Sequence, residues 1–371
     1  MRIGSRGSAL ALVQAHAVAR LLGGAEVAVI QTSGDRGSGD SGSGNLAGDR
    51  GSGDGGSGDA AGDRGSGDNG CGNAANDRGS GNAAADKSRW VDAIERALLA
   101  GEIDLAVHSA KDLPGELPEG LVLLGTVARA PAQDALCGAG SLAELPAGAR
   151  VGTSSLRRSS QLLAARPDLE VVPLSGNVDT RLARLNGQGE AARAGGRDQH
   201  VGADRVGGSR RADSRGGASE LDAIVLARAG LIRLELEQRA RAAALPVEQF
   251  VPSPGQGALA LEGRDGDAAV AAAVAAVNDK DAFACLRAER ALANALGATC
   301  RTPLGAHAHL SQRGPLMLRG WTGLPDGSAW IADEMVGHAG ESPEESGLRL
   351  AERMRAVGAR EMLAAAEALA A

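Results

Sequence analysis

Val151-Gly152-Thr153-Ser154-Ser155-Leu156-Arg157-Arg158-Ser159-Ser160-Gln161-Leu162-Leu163 passes from the end of an apolar strand, through a hydroxyl-rich turn, into a helix. The strand is read at Arg150 to Gly152 and the helix at Ser159 to Ala165. A strand–turn–helix of this kind is half of a βαβ unit, and it points the free N–H groups of a helix start at the carboxyl end of a strand. Three hydroxyls and those N–H groups make an anion pocket. Two adjacent arginines add planar forks that pair with carboxylates bidentately. The pocket suits a small molecule with several acid groups; taken alone, the stretch reads as well as a capped helix with two solvated arginines.

The same alternation continues on both sides. Strand Arg2 to Ser5, helix Ala9 to Leu22, strand Glu26 to Gln31, helix Arg89 to Leu99 and strands Leu105 to His108 and Leu121 to Val127 come before it. Strand Glu170 to Pro173, helix Thr180 to Leu185 and strand Ala223 to Leu226 follow. Strands and helices in turn predict doubly wound α/β domains. From about Asp279 the pattern changes to α+β. It predicts helix Ala282 to Ala295, strands around His307 to Leu310, Leu316 to Thr322 and Ser328 to Val336, then helix Pro343 to Val357. Gly323-Leu324-Pro325-Asp326-Gly327 supplies a hairpin turn. Three Trp, two Phe and no Tyr leave the core to Leu, Val, Ile and Ala, with Ala-rich helices at Ala268 to Val277 and Met354 to Ala371.

A second stretch carries chemistry. Leu105-Ala106-Val107-His108-Ser109-Ala110-Lys111-Asp112-Leu113-Pro114 runs from a strand into a polar turn that the proline ends. Such turns lie where open α/β sheets bind ligands. Lys111 keeps Asp112 ionised, and a fixed carboxylate stabilises a developing cation and relays protons. As an isolated feature it reads rather as a solvated Lys-Asp pair.

Composition excludes several classes. A formal net charge of −7 argues against a general nucleic-acid binder. No apolar run approaches the ~18 residues of a membrane span. The N-terminus opens into a strand with no signal-peptide character. Cys71, Cys137, Cys285 and Cys300 have no metal-type spacing, so free thiols and no metal are expected.

These motifs, with Arg2 to Gln14, Gly176-Asn177-Val178-Asp179-Thr180-Arg181, Pro254-Gly255-Gln256-Gly257-Ala258 and Ala288-Glu289-Arg290-Ala291 followed by Cys300, resemble the hydroxymethylbilane synthase (porphobilinogen deaminase) family in order and content. The resemblance implies two α/β domains alike in fold to type II periplasmic binding proteins, residues 1–130 with about 254–275, and 131–253. It adds a cofactor-carrying α+β domain over 279–371. It implies a transferase of porphyrin and heme biosynthesis: porphobilinogen units join head to tail with loss of ammonia to give hydroxymethylbilane. The primer is a dipyrromethane held through a thioether to one cysteine, and Cys300 occupies that place. Asp112 matches the catalytic acid. Ser109, Lys111, Thr153, Ser155, Arg157, Arg158, Asn177 and Arg181 match cofactor-binding positions. Arg6, Ser8, Gln14, Lys87, Trp90 and Arg233 match substrate-side positions. A cytoplasmic monomer that passes its product to uroporphyrinogen-III synthase is implied, with no nucleic acid and no membrane. Ser175 stands where the family usually has Arg, Trp90 where it has Phe, and Ala298-Thr299 where it has Gly-Gly. A binding protein for a carboxylate-rich molecule, without catalysis, is the alternative; it needs neither Asp112 beside Lys111 nor a cysteine in a third domain.

Two insertions interrupt the pattern. Asp-Arg-Gly-Ser-Gly begins at Asp35, Asp49, Asp63 and Asp77, a period of 14 within residues 37–85 and their approach. Almost no apolar residue is present, so a flexible loop is expected. A Ca²⁺-binding β-roll needs a large apolar residue in every turn and finds none. Residues 187–218, with six arginines, read the same way.

Overall fold

The computed structural model describes residues 1–31, 88–187, 221–299, 302–310 and 314–369. Cys71, Lys87, Cys300 and nearly all of both insertions lie outside these residues, and the side chain of Trp90 is not among those described.

The first sheet gathers β1 (Arg2–Ser5), β2 (Glu26–Val29), β3 (Leu105–Ser109), β4 (Leu121–Thr126) and β10 (Leu259–Arg264) in the order β2-β1-β3-β10-β4. β1 runs parallel to β2 and β3, while β10 runs antiparallel to β3 and β4. Helix α1 (Ala9–Leu21) buries Ala15, Val18 and Ala19 against Ile3, Leu105, Val107 and Leu261. Helix α2 (Ser88–Leu99) buries Ile94, Ala97 and Leu98 against Ile103, Ala106 and Leu121.

The second sheet repeats this plan with β5 (Asp134–Cys137), β6 (Arg150–Gly152), β7 (Glu170–Val172), β8 (Ala223–Ala227) and β9 (Ala242–Ala244), ordered β7-β6-β8-β5-β9. Its parallel strands are β6, β7 and β8, and β5 runs against β8 and β9. Helices α3 (Leu156–Ala165), α4 (Val178–Leu185) and α5 (Arg228–Arg233) flank it. The chain therefore crosses between the sheets twice, after β4 and after β9.

The third sheet is an antiparallel meander of β11 (Leu304–Leu310), β12 (Leu316–Gly323) and β13 (Trp330–Val336). Helices α7 (Lys280–Leu296), α8 (Pro343–Ala356) and α9 (Ala359–Leu369) cover it around Leu292, Leu318, Leu350 and Met354. α6 (Ala268–Val277), capped by Asp267, follows β10 and packs Val270 and Val274 into the core of the first sheet.

The mixed α/β character expected from the alternation is present, with three departures. The helix after the TSS turn begins at Leu156 rather than Ser159, with the extended Ser155 as its N-cap. Arg157 and Arg158 are consequently helical residues. The expected helix from Met354 to Ala371 breaks at Gly358, whose φ of +92° ends α8 and allows α9 to start afresh. The strands Ala242–Ala244 and Leu259–Arg264 escaped the alternation, since alanine, leucine and glutamate carry no β signature. The hairpin reading holds: Gly327 (φ +71°) turns the chain between β12 and β13, and Asp326 Oδ1 accepts from Ser328 N at 3.0 Å.

Candidate active site

β3 is buried along most of its length and delivers His108 and Ser109 into a single 3₁₀ turn, Ala110–Asp112. Three neighbours fix that turn. Ala110 N donates to Ala258 O at 3.1 Å, just ahead of β10. Gly255 packs against it at φ +71°, where an added Cβ would come within 2.9 Å of the Ala110 Cβ. Arg290 of α7 holds the exit, donating to Pro114 O and Gly115 O, each at 2.8 Å. Lys111 and Asp112 are left half-buried at the carboxyl end of the strand. Ser109 and Gln14 exchange hydrogen bonds at 3.0 and 3.2 Å, so two sequence-nominated residues meet directly. Ser8 serves as N-cap of α1, accepting from Ala11 N.

In the second sheet, Thr153 is buried and its Oγ1 accepts from Ser155 N at 3.2 Å. Ser155 makes no side-chain cap bond at the start of α3. Asn177 does: its Oδ1 accepts from Thr180 N at 2.8 Å. Arg181, one turn on, donates Nε to Gly176 O at 2.8 Å. Its pKa falls to about 10, first through burial and then through Arg158 and Arg184, with Asp112 acting in the opposite sense. Asp112 from the first sheet and the guanidiniums of the second thus feel one another. Arg233 donates to Gly257 O at 2.7 Å, and burial lowers it to about 10. Arg6 is half-buried in the turn leading to α1.

Arg157 and Arg158 depart from the expectation. Both are almost wholly buried, and both are spent on Asp134. Arg157 Nη2 lies 2.7 Å from Asp134 Oδ2 and its Nη1 donates to Val251 O at 2.7 Å, with Phe250 stacked beneath. Arg158 reaches Asp134 Oδ1 through Nε at 2.9 Å and Nη2 at 2.8 Å, and donates Nη1 to Val225 O. Burial alone raises Asp134, but the two guanidiniums outweigh it and hold the carboxyl below its usual range. Two forks that the sequence offered to a ligand are committed internally because a carboxylate stands opposite them in β5.

Motif reading quoted Gln256 and Glu289 without assigning them work, and missed Asp134 and Arg129. Gln256 Nε2 bridges Ala132 O and Asp134 Oδ1. Glu289 accepts from Arg129 Nη1 at 2.7 Å and Nη2 at 3.0 Å, and from Gly255 N and Ala308 N, both at 2.7 Å. This one carboxylate ties both crossovers to the third sheet. The signal was an acid inside a mostly apolar helix face. Cys137 and Cys285 are buried free thiols, pushed up by burial to about 12 and about 11, which makes them poor nucleophiles.

Residues 1–43, 72–195 and 209–272 match the family model described as porphobilinogen deaminase, dipyromethane cofactor binding domain, and residues 283–356 match its C-terminal domain. The chain belongs to the porphobilinogen deaminase family. Similar curated proteins agree: the porphobilinogen deaminase of Thiobacillus denitrificans is 43% identical over 75% of this chain and 80% of its own length. That of Thermus thermophilus is 43% identical over 75% and 82%. That of Rubrobacter xylanophilus is 45% identical over 72% and 76%. Among the described residues, no helix is long and apolar enough to cross a membrane.

Proposed function

We propose that the chain joins porphobilinogen units head to tail, releasing ammonia at each addition, to give hydroxymethylbilane. Beyond family membership, the observation that carries this reading is that Asp112 of the first sheet acts on Arg181 of the second, with Arg184 alongside. Each pyrrole bears an acetate and a propionate. A growing chain is a string of carboxylates, and guanidiniums facing a single catalytic acid are the charge pattern it requires.

The residues present fit a dipyrromethane. Arg181 is crowded by like charges, which a bound carboxylate relieves, and the start of α3 keeps a side-chain cap position open at Ser155. Ser109, Lys111, Thr153, Ser155, Asn177 and Arg181 would hold its carboxylates, with Cys300 as the thioether residue. Arg157 and Arg158 would act through Asp134, keeping the start of α3 in place. When bound, the dipyrromethane supplies the pyrrole α-carbon to which the first unit is joined. Asp112, ionised beside Lys111, stabilises the cation that develops on porphobilinogen as the bond to ammonia breaks. It also takes up the ring proton displaced by the new carbon–carbon bond and can return one to a leaving amine. Arg6, Ser8, Gln14, Lys87, Trp90 and Arg233 complete the substrate side. A protein that only captured a diacid would need no carboxylate among its arginines.

The same reading assigns residues 1–130 with about 254–275, and 131–253, to two domains of the type II periplasmic-binding kind, and 279–371 to a third. The repeated strand order and the double crossover support this. Family membership supports extending it to a cytoplasmic monomer whose product goes to uroporphyrinogen-III synthase.

Intact mass spectrometry of the purified chain tests the proposal. A mass above that of the polypeptide by one dipyrromethane, a colour with Ehrlich's reagent, and loss of both in Cys300→Ala together with turnover are expected. A parent chain at bare mass that leaves porphobilinogen unchanged would refute it.

A further inference from the structure

The buried face of the first sheet holds a group of ionisable side chains for which the reaction above has no use. His108 stands on β3 opposite Ala260, and Glu262 on β10 opposite Ala106, so the two share one face as diagonal neighbours. His108 Nε2 lies 2.9 Å from Glu262 Oε2, with the side chains 5% and 0% exposed. Glu95 of α2, 5% exposed, closes over the same face, and its charge acts on Glu262. Among the described residues His108 Nε2, both Glu262 oxygens and Glu95 Oε1 are buried with no hydrogen-bond partner, so the close approach of His108 to Glu262 is not a formed hydrogen bond. Asp92 of α2 adds to the negative side, while Arg290 of α7 approaches Glu262 from the far end. Arg264, two residues beyond Glu262, is taken up by Leu98 O, Ile103 O and Asp267.

Two carboxylates and one imidazole share this buried face with unpartnered polar atoms, and a neutral carboxyl costs less there than an ionised one. Burial first, then Glu262 and Asp92, raise Glu95 to about 7. His108 immediately precedes Ser109 and the Ala110–Asp112 turn. α2 begins at Ser88, next to Lys87. The three residues therefore connect α2 to the strand end that leads into the turn carrying Asp112.

We propose that His108, Glu262 and Glu95 form a positioning unit for the catalytic turn, in which a neutral Glu95 lets α2 pack on the face that carries His108 and Glu262 and an ionised Glu95 loosens it. The inference rests on the activity proposed above. It makes the Asp112 turn, and with it turnover, sensitive to pH near neutrality through residues that touch no substrate.

The test compares the cofactor-loaded parent, Glu95→Gln and His108→Gln. Glu95→Gln keeps a donor at every pH. The ratio of kcat at pH 8.5 to kcat at pH 6.5 should rise by roughly fivefold or more relative to the parent. Difference infrared spectra of the parent should show a protonated-carboxyl band that titrates near neutrality and is missing from Glu95→Gln. His108→Gln should lower kcat about tenfold at both pH values, with KM for porphobilinogen within about twofold. A titrating band that survives in Glu95→Gln, or an unchanged kcat ratio in an active Glu95→Gln, overturns the unit alone. A loaded parent that forms no hydroxymethylbilane overturns the activity itself, and the positioning role with it.

Discussion

β5 and β10 occupy the same place in their respective sheets, fourth of five and antiparallel to the neighbours on either side, and each carries a fully buried carboxylate. Asp134 on β5 meets two guanidiniums and the amide of Gln256. Glu262 on β10 meets an imidazole and a second carboxylate. The second sheet balances its acid with permanent cations, since Arg does not titrate in any ordinary range. The first sheet sets its acid beside an imidazole and Glu95, whose carboxyl burial pushes up to about 7. One plan of strands thus yields a rigid charge platform on one side and an adjustable one on the other, and the adjustable side bears Asp112.

If the chemistry resides on the first sheet, Asp112→Asn gives the largest effect. The amide keeps the shape but carries no charge, and kcat should fall by about 10³–10⁴, or roughly 5 kcal/mol in the barrier. Product assays on a variant with parent-like circular dichroism check it, and near-normal conversion would move the chemistry elsewhere. Asp134→Asn probes the other side. It strands two buried guanidiniums, and stability should drop by roughly 4 kcal/mol in denaturant titrations. A loss under about 1 kcal/mol would mean that the second sheet does not depend on this pairing.

The pH response separates the two acids. Glu95 has a folded pKa above its unfolded value, so its contribution is complete below about pH 4.5 and fades as pH rises towards 7. Stability should decline over that window by at most about 3 kcal/mol, and Glu95→Gln should flatten the slope. Asp134 is depressed, so its contribution is intact across the same window and is lost only as pH falls below the ordinary Asp range. Arg181→Gln should have the smallest effect of the four. One charge-assisted contact is worth about 2 kcal/mol, which predicts a KM for porphobilinogen, or a loss of retained dipyrromethane, changed by about thirtyfold. An unchanged KM together with full cofactor loading would remove Arg181 from the site.

Local patterns revealed most strands and helices, because strand–helix alternation acts within a few residues; the caps Asn177 and Asp279 went unread, and helices expected from Thr180 and Ala282 begin at Val178 and Lys280. The family resemblance nominates Gln14 for the substrate side and Ser109 for the cofactor side, and the fold joins them. What local patterns could not reveal was pairing across long separations. Whether Arg157 faces a ligand or Asp134 depends on which strand lies beside β8, and that strand comes from a different part of the chain. Glu289 and Glu262 sit in helical or strand patterns that look ordinary until three segments converge on them. Alanine strands such as β9 give no local signal, since only their neighbours make them strands.

The double crossover has a consequence for synthesis on the ribosome. β10 lies between β3 and β4, yet it is made after the whole second sheet. Until Leu259–Arg264 emerges, β3 and β4 face a missing strand, with unpaired backbone edges and Glu95 and His108 lacking their shared carboxylate. The second sheet has no such wait, because all five of its strands are consecutive in the chain. Vectorial folding therefore completes the charge platform first and assembles the catalytic turn later. A nascent chain stalled before residue 259 would expose an open sheet edge to chaperones rather than a nearly finished enzyme.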